Sequence, residues 1–92
     1  MQYEQIGPLD PNIRYKGANR FWFEQVDRHM GQLPFANWRD AEIDLFAKIY
    51  LAQRDEGKTI QQIKDVFSAT YGISHSAFYT RARKAAKLRA MY

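Results

Sequence analysis

Apolar residues recur along this chain at helical spacing, in blocks separated by glycine, proline and capping residues. The first block predicts a helix from about Asn19 to Met30. Asn19 suits its N-cap and Gly31 its C-terminal stop, and Phe21, Trp22, Val26 and Met30 form one buried stripe that leaves Phe23 outside. A connector, residues 32–36, contains Pro34, which cannot continue a helix. The second helix starts at Trp38 behind the cap Asn37, carries Asp40 and Glu42 where the macrodipole favours negative charge, and stops near Gly57. Trp38, Ile43, Phe46, Ile49 and Tyr50, with Leu45 beside them, give it a wide apolar face. Asp40, Glu42 and Asp44 read as a dipole match and an exposed face.

Thr59-Ile60-Gln61-Gln62 has the form of a capping box, so a third helix opens there. Ile60, Ile63, Val66, Phe67 and Tyr71 keep its spacing until Gly72 ends it. Ser74 then caps a fourth helix reaching about Leu88, with Phe78, Ala82 and Ala85 on one face. The expected fold is all-α, a small bundle of about four helices spanning residues 18–92, with a helix-turn-helix at 59–89. Residues 1–17, punctuated by Gly7, Pro8, Pro11 and Gly17, are expected to form an extended arm. Arg14 and Lys16 would be its reaching residues.

Composition narrows the class. The 92 residues hold one domain, and 46% apolar content with 15% aromatic is too much for a disordered tail. There is no cysteine, hence no disulfide framework or thiolate zinc finger, and no apolar run of membrane-spanning length. The expected setting is the cytoplasm, of the bacterial or phage-encoded, nucleoid-associated kind, with the nucleus as the alternative.

Charge distribution then changes the picture. Residues 1–36 are neutral and residues 37–73 carry a net charge of −1. Residues 74–92 carry Arg81, Arg83, Lys84, Lys87 and Arg89, and no acid follows Asp65. All of the excess charge of +4 therefore comes from the last segment, as in a surface built to meet phosphates. A helix, a glycine corner and a cationic helix together suggest a recognition helix for the major groove. His75, Ser76, Tyr79, Thr80 and Arg83 are the candidate base contacts, Arg83 because a guanidinium pairs with both guanine acceptors. Lys58, Thr59, Arg81, Lys84, Lys87 and Arg89 are the candidate phosphate contacts, the first two at a helix N-terminus.

From Trp38 to Lys84 the chain resembles the Myb/SANT-like and wider homeodomain-like trihelical helix-turn-helix families. The likeness rests on Trp38 heading the first helix, its acidic first turn, Leu45-Phe46, and the Gly57 break. It continues through the helix from Thr59, the Gly72-Ile73-Ser74 turn and the basic helix to Lys84. Two departures are Ile60, where a second tryptophan is expected, and a helix before the turn about one turn longer. The resemblance implies a trihelical fold and a DNA-binding surface. The segment before Trp38 would add a fourth helix to that unit or form a homodimer contact through its aromatics.

The leading expectation is a small transcriptional or phage/plasmid-type regulator binding double-stranded DNA in a sequence-specific way. The alternative is an interaction or inhibitor module docking its basic helix on an acidic protein surface. Single-stranded nucleic acid stacking on Phe78, Tyr79 and Tyr92 ranks third, because stacking platforms are usually sheets or open grooves. An enzyme is not expected: His29 and His75 lie on different elements, Ser74-His75-Ser76 is adjacent only in sequence, and no glycine-rich phosphate loop occurs. No cofactor or metal is expected.

Overall fold

Each helix begins where a side-chain oxygen is available to cap it. In the computed structural model, which describes residues 18–90, the chain forms α1 (Arg20–Met30), α2 (Trp38–Asp55), α3 (Ile60–Tyr71) and α4 (His75–Ala90), with no strand among the described residues. The arm predicted for residues 1–17 lies outside them. Asn19 Oδ1 accepts from the amides of Phe21 and Trp22, and Asn37 Oδ1 accepts from Asp40 at 2.9 Å. The capping box closes on both sides, with Gln62 N donating to Thr59 Oγ1 at 3.1 Å and Thr59 N to Gln62 Oε1 at 2.9 Å. Ser74 Oγ accepts from Ala77 N at the head of α4.

Gly72 ends α3 with φ +66°, the left-handed geometry that other residues adopt only at a cost. Gly31, expected to stop α1 in the same manner, instead keeps a right-handed φ of −75° and lets the helix unwind through bonds to Asp27 and Arg28. Asn19 has a second task. Its backbone N–H donates to Tyr71 O at 2.8 Å and its Nδ2 to Thr70 O at 3.0 Å, so the cap of α1 also satisfies the end of α3.

The core takes one fully buried aromatic from each helix: Trp22, Phe46, Phe67 and Phe78. Phe46 stacks on Phe67 at 4.5 Å, while Trp22 meets Phe67 edge-on at 5.8 Å and Phe78 meets Phe46 edge-on at 5.6 Å. Truncating any one to alanine should cost about 3–5 kcal/mol. Helix α2 runs through the middle and touches the other three, its widest contact being with α4.

Three expectations about faces are corrected. Phe21 is 53% exposed, with the Arg20 guanidinium 5.5 Å from its ring, because it sits about 100° round the helix from Trp22, on the side away from Met30. Phe23 takes the inner side instead, half-buried against Trp38 at 6.0 Å. Ile60 and Val66 are likewise exposed at the edges of the stripe formed by Ile63 and Phe67. Trp22 and Val26 are completely buried within the chain, so the α1 stripe serves the intramolecular core.

The largest correction concerns Glu42. Expected on an exposed face, it is 1% exposed, accepting from Trp22 Nε1 at 3.2 Å and Arg81 Nε at 2.9 Å. One carboxylate thus joins α1, α2 and α4.

Candidate functional site

Phe78, Ala82 and Ala85 anchor α4, all buried, with Ala77 and Leu88 at the margin of the same face. At about 100° per residue the opposite arc carries Ser76, Tyr79, Thr80, Arg83, Lys84 and Lys87, while His75 stands about 60° from Phe78, at the edge of the anchoring face. Every one of these seven is exposed, and Arg83 stands near the middle of the arc. Four of the five candidate base contacts therefore share one outward face, and His75 lies apart from them at its edge. Ala86 and Ala90 lie on the same side and keep it thin.

The polar groups of this face are not equally available. Thr80 Oγ1 donates to Ser76 O at 3.0 Å, so its proton is used within the helix and only acceptor capacity is left. Tyr79 is 40% exposed and rests edge-on against buried Phe78 at 5.4 Å, which limits its ring to a narrow range of positions.

The basic residues of α4 divide by partner. Arg81, expected at a phosphate, is drawn inward to Glu42, with a fifth of its side-chain surface exposed. Arg89, also expected at a phosphate, forms a two-pronged pair with Asp55 of α2, both contacts at 2.8 Å. That guanidinium holds the Asp55 carboxyl below the ordinary carboxylate range. Both arginines fasten α4 to α2. Arg83, Lys84 and Lys87 form no ion pair among the described residues, so three cations make up the outward charge of the helix.

The other two predicted phosphate contacts sit at the α2–α3 corner. Lys58 Nζ lies 3.8 Å from Glu56, and the capping box takes the amide of Thr59 as donor and its hydroxyl oxygen as acceptor. The α3 N-terminus is therefore less open to an anion than the sequence suggested. Asp55 and Arg89 bring the far end of α4 to this same corner.

A second polar cluster went unread in the sequence. His29, buried on α1, places Nε2 2.7 Å from Asp44 Oδ2 on α2, and Lys48 reaches the same oxygen at 3.2 Å. Burial opposes the charge on Asp44, but the hydrogen bonds from His29 and Lys48 outweigh it and hold that carboxyl below its ordinary range. His29 stands seven residues past Trp22, on the stripe that Val26 also occupies, and that spacing was the available signal. Glu42 gave a comparable signal, four residues from both Trp38 and Phe46.

Among the described residues no three His, Cys, Asp or Glu side chains gather as a metal cluster, and no helix is long and apolar enough to cross a membrane. No protein-family model, curated protein or solved structure matches the chain.

Proposed function

We propose that this protein binds double-stranded DNA, laying the outward face of α4 in the major groove in the manner of a helix-turn-helix regulator. The observation that carries the reading is the composition of that face. Arg83, Lys84 and Lys87 project from it with no ion pair among the described residues, hydroxyl and aromatic groups stand between them, and no described carboxylate interrupts it. Arg83, central and able to present two parallel N–H donors, is the residue for guanine O6 and N7. Lys84 and Lys87 meet phosphates. Ser76, Tyr79 and His75 contact bases near the start of the helix, where such proteins commonly read sequence. The α3, Gly72 corner and α4 arrangement supports the same reading, as does the resemblance to Myb/SANT-like domains, from which the longer helix before the turn departs.

The test is selection from a pool of random duplexes with the purified protein. An enriched motif containing a guanine whose preference is relaxed by Arg83→Ala supports the assignment, with about 1–3 kcal/mol of discrimination lost at that base. A pool that stays random at low salt, for the unaltered protein, would place an acidic protein surface ahead of DNA.

A further inference from the structure

The corner where α2 meets α3 holds two carboxylates in an unfavourable place. Asp55 is the last residue of α2 and Glu56 its C-cap, so both lie at the helix end where the macrodipole disfavours negative charge. Each faces a cation. Asp55 grips Arg89 through both oxygens at 2.8 Å, and Glu56 lies 3.8 Å from Lys58. Arg89, on the α2-facing side of α4 near its C-terminal end, and Lys58, just ahead of α3, are the two cations these carboxylates hold. All four side chains are 44–63% exposed, so neither pair is sealed from solvent or from a competing anion.

Resting on the DNA-binding reading, we infer that Asp55 and Glu56 form an autoinhibitory contact, standing in for DNA phosphates and withholding Arg89 and Lys58 from a polyanion. An Arg–carboxylate fork has the same two-donor geometry as an Arg–phosphate fork, so the two acceptors are direct competitors for one guanidinium. The pair is open to solvent, and exposed ion pairs are weak. The contact therefore lowers affinity without abolishing binding, and it leaves the protein easily displaced from non-specific DNA.

The prediction runs opposite to ordinary loss of function. Asp55→Asn should tighten binding to a random duplex by roughly two- to fivefold, the factor corresponding to release of one such pair. It should also steepen the dependence of log K on log salt from about −2.7, for Arg83, Lys84 and Lys87 all meeting phosphates on a random duplex where Arg83 has no cognate guanine, to about −3.6 for four contacts. Adding Glu56→Gln should bring the slope to about −4.5 as Lys58 joins. In an Arg89→Ala background, Asp55→Asn should leave the slope where it began. Glu24→Gln removes the same charge from α1, which does not touch α4, and should leave both quantities unchanged.

Fluorescence anisotropy across a salt series reads all of these, with circular dichroism confirming that each variant is folded. The inference is overturned if Asp55→Asn leaves the slope unchanged, or if its effect persists without Arg89, which would mark a general field effect. Absence of binding by every variant at low salt would instead overturn the DNA-binding reading itself.

Discussion

Replacing Glu42 by alanine is the perturbation with the largest calculable consequence. The side chain is 1% exposed and is shared by Trp22 Nε1 at 3.2 Å and Arg81 Nε at 2.9 Å. Its removal strands a buried indole N–H, costing about 1–3 kcal/mol, and leaves a guanidinium facing the hole. Breaking a buried ion pair from one side typically costs about 3–5 kcal/mol. Arg81 keeps 20% of its side-chain surface exposed and can turn partly to water, so the lower figure applies, about 3 kcal/mol for the whole change. A domain of this size has roughly 5–15 kcal/mol of stability, and the loss corresponds to a Tm lower by about 12–24 °C.

Thermal unfolding followed by far-ultraviolet circular dichroism measures it, with tryptophan fluorescence in urea as the second probe. Glu42→Leu combined with Arg81→Met should recover much of the loss, because an apolar pair carries no stranded charge, although the Trp22 N–H stays unsatisfied. If Glu42→Ala lowers the Tm by less than about 4 °C, the carboxylate does not hold three helices together as described.

Two further outcomes follow from local geometry. Asp44 has its folded-state pKa depressed, so its contribution is fully present above the unfolded value near 3.9 and is lost as pH falls through the lower folded value. Asp44→Asn should therefore be less stable than the parent at pH 7, and the difference should shrink toward zero as the pH is taken to about 2; a difference independent of pH would contradict the assignment. Gly72→Ala should cost about 1–2 kcal/mol from the left-handed φ of +66° alone, since the added Cβ would meet Asn19 only at an ordinary 3.5 Å. Denaturant melts of the two proteins at equal m-value would check that figure.

Helix ends were legible in the sequence because capping is local: Asn19, Asn37, Thr59 with Gln62, Ser74 and Gly72 each act within a few residues of themselves. The number of helices followed from the same signals. Which side of a stripe faces inward was less legible, and Phe21, Ile60 and Val66 ended up exposed because neighbouring helices cover only part of each apolar arc. The fate of the cations was only partly legible: the spacing lets Leu88 or Arg89 continue the Phe78, Ala82 and Ala85 face, but it names no partner. Arg81 and Arg83 are two residues apart on one helix, and what separates them is a carboxylate 39 residues upstream in the case of Arg81. Arg89 is bound by Asp55 across 34 residues in the same way. Sequence periodicity names a face but cannot name the partner opposite it, so a five-cation helix emerged with three cations facing outward.

The central claim is that these three, Arg83, Lys84 and Lys87, form a surface for the DNA backbone and bases. Its most direct test is the salt dependence of binding to a fluorescent random duplex. The unaltered protein should give a slope of log K against log salt near −2.7, and the triple substitution R83A/K84A/K87A, on the exposed face of α4, should bring it close to zero with the Tm preserved. A folded triple variant that binds as tightly, and with the same slope, would contradict the account.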